Sequence, residues 1–350
     1  MLPDQFASLD FARYQLKLRA TQSVSLPAFL GSTLRGAFGH ALKQAICVMP
    51  HGDCARCLVA ERCIYPYLFE TAAPPTGLLR NQSQAPRPFI LAPPLLNTRS
   101  AATDSEPRTT LRAGDELCFG LLLMGRAAEY LPYVIFAVSE MARRGLGAAR
   151  VPFQLCAVTF TDQVGDERTI YSGEAGRITV LKEATVNLAD LLRQRLNQIA
   201  GDIALLDAVK VRFITPTRIR VDDDLQKETA FALLVRNLLR RISMLAAVHG
   251  RAPLELDYRS LIARASQVTM ESARLRWHDW QRYSNRQQTR MKMGGFTGEV
   301  EYAGNGLQEF LPLLAAGELL HVGTGTTFGL GRYEIVPAES KAADRNGSPC

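Results

Sequence analysis

Leu307-Gln308-Glu309-Phe310-Leu311-Pro312-Leu313-Leu314-Ala315-Ala316, followed by His321-Val322-Gly323-Thr324-Gly325-Thr326-Thr327-Phe328-Gly329-Leu330-Gly331-Arg332, decides the reading of this chain. The first part is an apolar helix opening on Leu-Pro, and proline suits a first helical turn because the N–H it lacks would have no partner there. The second part sets four glycines among hydroxyl and apolar residues, ahead of an extended run at Tyr333. It is not a Walker loop, since no Gly-Lys-Ser/Thr follows, nor a dinucleotide fingerprint, since no helix follows. Free N–H groups in such a loop form a nest for phosphate oxygens. A tight hairpin or bulge is the plainer alternative.

This stretch has a counterpart earlier in the chain. Tyr130-Leu131-Pro132 opens a helix in the first half as Phe310-Leu311-Pro312 does in the second. Gly145-Leu146-Gly147 follows the first helix and Gly329-Leu330-Gly331 the second, while Glu116-Leu117-Cys118-Phe119 matches Glu299-Val300-Glu301-Tyr302 as a strand. Each half then reads strand, helix, strand, strand, helix, strand, the split-βαβ order. The expected fold class is α+β. Tandem ferredoxin-like (RRM-like) domains cover 1–165 and 207–338, a connector covers 166–206, and 339–350 is a flexible tail. A four-cysteine insertion at 47–63 interrupts the first domain, and the Gly-rich loop closes the second.

Periodicity fills in the elements. Residues 10–20, 116–124, 151–160, 209–214 and 298–302 read as strands. A helix from Pro27 places Leu30, Leu34, Phe38, Ala41 and Ala45 on one face, with His40 and Lys43 towards the other. Residues 71–110 hold seven prolines and read as an extended excursion with one short strand at 88–91. A later helix buries Phe231, Leu234, Val235, Leu238, Ile242 and Leu245, keeps Arg236, Arg240 and Arg241 off that face, and takes Asp222, Asp223 and Asp224 at its positive N-terminal end.

Composition narrows the function. Net charge is +7 over 350 residues, which favours a polyanionic partner. No apolar run reaches the roughly 18 residues that a membrane span needs, and no signal peptide is expected from the opening residues. A cytoplasmic protein is expected.

Cys47, Cys54, Cys57 and Cys63 lie within 17 residues. In a reducing compartment such a cluster reads as metal-bound rather than disulfide-bonded. Four thiolates complete a tetrahedral Zn²⁺ shell and imply a structural role. An iron–sulfur cluster and free thiols are the alternatives. Cys118 and Cys156, in strands, read as core residues. Between Arg274 and Lys292 stand five arginines and one lysine against a single acid, Asp279, interleaved with Trp277, Trp280 and Tyr283. Arginines suit phosphates and aromatics suit unpaired bases, so Arg282, Tyr283, Arg286 and Arg290 are candidate RNA contacts, with Arg218 extending the surface. A solvated helix with buried aromatics is the bland reading.

Five stretches together resemble the RAMP superfamily of CRISPR-associated proteins, and within it the sixth Cas family of endoribonucleases. They are Leu34-Arg35-Gly36-Ala37-Phe38-Gly39, Phe213-x-Thr215-Pro216-x-Arg218, Arg282-Tyr283-Ser284-x-Arg286-Gln287, Gly294-Gly295-Phe296-x-Gly298 and Thr326-Thr327-Phe328-Gly329-Leu330-Gly331. Thr326-Thr327-Phe328 departs from the Lys or Arg that such loops often carry between their glycine pairs. The resemblance implies binding of CRISPR repeat RNA, cleavage of precursor CRISPR RNA with no catalytic cofactor, and other Cas proteins as partners. The implied reaction is 2′-OH attack giving a 2′,3′-cyclic phosphate and a 5′-OH. A non-catalytic subunit holding guide RNA is the alternative.

Such a reaction calls for a group that titrates near neutrality. His40, on the first helix where the family tends to place its catalytic group, is the first choice, and His321 the second. Lys43, one turn on from His40, would stabilise the transition state. The loop residues Gly323, Gly325, Thr326, Thr327, Phe328, Gly329 and Gly331 would line the RNA. His51, beside the cysteines, could also serve, whereas His249 reads as a helix-end partner and His278 as an RNA contact or a packed ring.

Overall fold

The computed structural model describes residues 1–49, 53–74, 85–95, 108–179, 185–203, 208–222, 224–279, 281–284 and 289–336. The chain opens with β1 (Asp10–Ala20), a short β2 (Val24–Pro27) and α1 (Gly31–Ile46), then α2 (Ile64–Phe69), β3 (Phe89–Ala92), β4 (Arg108–Leu111) and β5 (Glu116–Met124). Next come α3 (Leu131–Arg144), β6 (Phe153–Thr161), β7 (Glu167–Ser172), β8 (Arg177–Ile178), β9 (Val186–Asn187) and α4 (Leu188–Ile203). The second half starts with β10 (Ala208–Thr217), a small ribbon of β11 (Arg220–Val221) and β12 (Asp224–Leu225), α5 (Phe231–His249) and α6 (Tyr258–Ala265). It ends with β13 (Thr269–His278), β14 (Gln281–Ser284), β15 (Thr289–Lys292), β16 (Gly295–Ala303), α7 (Leu311–Leu320) and β17 (Tyr333–Val336).

The antiparallel first sheet runs β3-β5-β1-β6-β7-β8, with β9 pairing β1, and the second runs β13-β16-β10-β17. Counting only the four strands of each strand-helix-strand-strand-helix-strand unit, both sheets have the order 2-3-1-4. The duplication read from sequence is therefore also a duplication of topology. Period-two burial explains β1, where Ala12, Leu16 and Leu18 lie inward at 0% exposure, and β10 follows the same rule. One hydrophobic core runs through both units. Arg195 on α4 forks onto Glu318 of α7 at 2.8 and 2.9 Å, and the Met1 amine donates to the Glu309 carbonyl at 3.0 Å.

The repeat extends to local geometry, with one shift of correspondence. Helices α3 and α7 each follow a 3₁₀ turn and carry proline in the first turn. Gly145 (φ 91°) caps α3, and the residue in its place after α7 is His321 (φ 59°). Two residues on, Gly147 and Gly323 share φ near 78°, at 77° and 79°. Leu146 exchanges hydrogen bonds with Val151, and the Val322 N–H donates to the Gly331 carbonyl at 2.9 Å. Gly145-Leu146-Gly147 thus corresponds to His321-Val322-Gly323, and not to Gly329-Leu330-Gly331. Matching glycine to glycine misled because the second copy holds a histidine in a conformation that glycine normally takes.

Other expectations shift too. Residues 166–206 do more than connect, since β7 and β8 extend the first sheet and β9 pairs β1. Helix α5 begins at Phe231, seven residues beyond Asp224. Asp222 instead turns the β11–β12 ribbon at φ 47°, a conformation aspartate tolerates. On α1, Gly39 and Leu42 are buried and Ala45 is exposed. Cys118 and Cys156 are half-exposed rather than core. The tail at 339–350 lies outside the described residues. Among the described residues no helix is long and apolar enough to cross a membrane.

Candidate active site

Helix α1 buries Gly31, Leu34, Phe38, Gly39, Ala41 and Leu42. Gly36, His40 and Gln44 recur every fourth residue on the opposite face and all are exposed. A Cβ on Gly36 would meet nothing within 4 Å, so the surface one turn before His40 is open. Lys43 is half-buried, with its Nζ 5.2 Å from the centre of the Tyr65 ring. Gln44 accepts a hydrogen bond from the Arg144 guanidinium of α3. His40 therefore stands on an open stripe of α1, with Lys43 three residues on and Arg144 held at Gln44 four residues on.

The other histidines are differently placed. His321 is 4% exposed, and its Nδ1–H donates to the Leu330 carbonyl at 3.1 Å. Burial, reinforced by the Arg241 charge, pushes its pKa down to about 3. Arg241 is itself off the solvent: its Nε–H donates to the Leu320 carbonyl at 2.7 Å and burial lowers its pKa to about 10. His249 is also buried, takes a 3.3 Å hydrogen bond from the Tyr67 hydroxyl on Nδ1 and donates from Nε2 to the Pro86 carbonyl at 2.7 Å. Burial lowers its pKa to about 4. His278 is half-buried against the Thr297 hydroxyl at 2.7 Å, and desolvation, then Arg276, lowers its pKa. His51 lies outside the described residues.

The glycine loop packs against α1. Thr326, Thr327 and Phe328 are 6%, 7% and 8% exposed. Arg35 of α1 donates from Nε to the Thr327 hydroxyl at 3.0 Å, and its guanidinium lies 4.6 Å from the Phe328 ring centre and 5.3 Å from that of Phe69. A Cβ on Gly31 would sit 1.8 Å from the Phe328 carbonyl, and one on Gly329 2.6 Å from the Leu91 carbonyl. The N–H groups of Thr324, Phe328, Gly329 and Gly331 are bonded to the carbonyls of Arg218, Gly325, Thr326 and Pro216. These donors are unavailable to a phosphate. The loop is the joint between the two units, and Arg218 beneath it is 6% exposed, inside rather than on an RNA-facing surface.

The basic stretch forms edge strand β13 and the ribbon of β14 and β15. Arg274 and Arg276 are exposed on β13, while Trp277 is half-buried against the core. In the ribbon Arg282 pairs with Met291 and Tyr283 with Arg290. Arg286 and Trp280 lie outside the described residues. The ribbon's root is fixed: Met293, next after β15, forms a small apolar cluster with Phe328, Leu330 and Phe29. The ribbon thus rises from the point where the glycine loop meets the start of α1.

Cys47, Cys54, Cys57 and Cys63 all line one cavity of about 250 Å³ against α1 and α2. Among the described residues, no three His, Cys, Asp or Glu side chains surround a single metal-sized point as they stand.

Comparison with known proteins fits this geometry. The family model of the CRISPR-associated endoribonuclease Cas6 matches residues 211–333, from β10 through the glycine loop. The N-terminal domain model AF_1859_N matches residues 9–183, half of the chain. The C-terminal part of the chain thus resembles the Cas6 endoribonucleases, and its N-terminal half carries the AF_1859_N domain. An uncharacterized protein of Archaeoglobus fulgidus is 24% identical over 331 residues, covering 94% of this chain and 98% of the relative. A product complex of Thermus thermophilus Cas6 matches at TM-score 0.50 and 17% identity, covering 94% of this chain and all of that one. A partial Cas6-RT-Cas1–Cas2 complex matches at TM-score 0.56 and 12% identity, covering 94% of this chain and 46% of that one. At these identities the solved structures speak for the fold.

The structure leaves His40 exposed and Lys43 half-buried one turn on along α1, and buries His321 against the Leu330 carbonyl. Residue-type reasoning passed over Phe29, Tyr65 and Met293. Arg35 stood inside the Leu34-Arg35-Gly36 motif, but its partner is 292 residues away, a distance no local pattern reveals.

Proposed function

We propose that this chain acts as the Cas6 endoribonucleases it resembles, binding CRISPR repeat RNA and cutting precursor CRISPR RNA once per repeat by a metal-independent reaction. The observation that carries the choice of residue is exposure: of the four described histidines, only His40 is exposed, and two of the others are held neutral by burial. In the proposed step a bond forms between the ribose 2′-oxygen and the scissile phosphorus while the bond from phosphorus to the 5′-oxygen breaks. The 2′-hydroxyl gives up its proton and the leaving 5′-oxygen gains one. A 2′,3′-cyclic phosphate and a 5′-OH result.

His40 serves as the base that takes the first proton or the acid that supplies the second, since imidazole works in either direction near neutral pH. Lys43, held against the Tyr65 ring one turn away, offsets charge on the phosphorane. The glycine loop contributes rigidity rather than N–H donors, because four of its N–H groups are already bonded. Arg274, Arg276, Arg282 and Arg290 supply the cationic surface. Other Cas proteins are proposed partners.

A cleavage assay of purified protein in EDTA tests the reading, with a repeat RNA, the same RNA carrying one deoxyribose at the cut, and the His40→Ala variant. The expected result is one cut, abolished by the deoxy substitution and slowed by about two orders of magnitude or more in His40→Ala at unchanged RNA affinity. Full activity in His40→Ala would remove His40 from the mechanism. Tight binding with no cut would convert the reading to a guide-holding subunit.

A further inference from the structure

We propose that Cys47, Cys54, Cys57 and Cys63 bind one structural Zn²⁺ ion that anchors the C-terminal end of α1. This inference is independent of the RNA reading. The four thiols line a single cavity, together with Ile46, Val59, Tyr65 and Tyr133. They enter from separate stations on the backbone. Cys47 is the C-terminal cap of α1 and Cys63 the N-terminal cap of α2. Cys54 starts a 3₁₀ turn and Cys57 closes it, the Cys57 N–H donating to the Cys54 carbonyl at 3.2 Å. A Cys-x-x-Cys pair on such a turn presents both thiols to one side, as a tetrahedral half-site requires.

The described residues of the segment are held mainly by short-range turn hydrogen bonds. Neither of its 3₁₀ turns buries a residue. Leu58 is 99% exposed, Val48 74%, Met49 48% and Val59 47%. A segment that buries so little apolar area gains little from its own packing, and a bound metal would supply ordering that packing does not. Thiol chemistry selects the staple: four thiolates close a tetrahedral zinc shell, leaving no position for substrate. The loaded centre carries a net charge of about −2, four thiolates against one divalent ion. Arg62 on the cavity wall and Lys43 beside Tyr65 offset it. Because the thiols do not yet converge on one point, loading draws the 53–63 segment inward across the cavity and couples metal binding to local ordering.

The test uses the full chain, purified without chelator. Elemental analysis is expected to find one zinc per chain, released by a mercurial thiol reagent. Co²⁺ exchange is expected to give the thiolate-to-metal charge-transfer and d–d bands of a tetrahedral tetrathiolate. Cys54→Ser with Cys57→Ser is expected to lose the zinc and speed proteolysis between residues 47 and 63, whereas Cys118→Ser and Cys156→Ser keep both at wild-type level. If the double variant does not fold, the Co²⁺ spectrum of the wild-type chain still decides. Metal-free protein whose four thiols all react freely with a disulfide reagent would overturn the proposal. So would stoichiometric zinc in the folded double variant. Iron with visible absorption would overturn the zinc assignment.

Discussion

Two glycines on one helix should respond to alanine in opposite directions. Gly36 sits mid-helix on α1, and its new Cβ would meet nothing within 4 Å. Gly36→Ala therefore keeps the helix-propensity gain and the loss of unfolded-chain freedom, and stabilises by about 0.5–1 kcal/mol. Gly31 is the first residue of the same helix, where the propensity gain is smaller. Its Cβ would stand 1.8 Å from the Phe328 carbonyl and 2.7 Å from the Phe29 ring. The carbonyl would have to retreat by about 1 Å or more, and it belongs to a loop held by Arg35 and by the Gly325 carbonyl. Overpacking of this kind costs about 1–3 kcal/mol, so the clash outweighs the propensity. Gly31→Ala should destabilise by about 1–2 kcal/mol, which opens a gap of about 1.5–3 kcal/mol between the variants. Equilibrium urea unfolding of the full chain measures both. A Gly31→Ala protein as stable as wild type, or two shifts of the same sign, would refute the joint between loop and helix.

Two further predictions concern the same region. Arg35→Ala removes the bond to Thr327 and the stacking on Phe328 and Phe69, and should destabilise by about 2 kcal/mol; Arg35→Lys should recover little, because a point charge replaces a planar fork. Combined with Gly31→Ala it should cost less than the sum, since both act through Phe328, and strict additivity would contradict that coupling. The buried histidines set a pH dependence: His249 and His321 have folded pKa values of about 4 and about 3, below the unfolded value of about 6.5. The unfolded chain therefore binds the extra protons. Their contribution is fully present above pH 6.5 and is lost as pH falls towards the folded values, by up to about 1.4 kcal/mol per pH unit for each histidine. His321→Asn, which keeps a donor for Leu330 and tolerates positive φ, should shallow the fall in urea stability between pH 6.5 and 5, and an unchanged slope would refute it.

The fold was legible because the duplication is written twice in one chain. Tyr130-Leu131-Pro132 and Phe310-Leu311-Pro312 mark equivalent helix starts, and period-two burial in β1 and β10 fixed the first strand of each unit. Backbone dihedrals were not legible. Asp222-Asp223-Asp224 has the composition of a helix start, yet positive φ at Asp222 makes it a turn. Burial by distant partners was equally hidden. Nothing local separates exposed His40 from His321, which is covered by its own loop, or off-face Arg236 from Arg241, which α7 covers. The glycine pattern announced close backbone approach, and it occurs, but what approaches is the protein's own backbone, the Arg218 carbonyl at Gly323 and the Leu91 carbonyl at Gly329.

Helix α1 is about 24 Å long at 1.5 Å per residue, and it behaves as a beam gripped at its N-terminal end by the Phe328 carbonyl and the Phe29 ring. His40 rides six residues from the other end, at Ile46. If that far end holds, a 1 Å displacement at Gly31 becomes a sideways travel of about 0.4 Å at the imidazole, by simple proportion along the axis. That is comparable with the tolerance of about 0.5 Å within which a catalytic group must be kept. For the proposed reaction, play in a joint more than two turns away would be reduced to about 0.4 of its size and still take up most of that tolerance, so that reaction requires stiffness at both ends of the helix that carries His40.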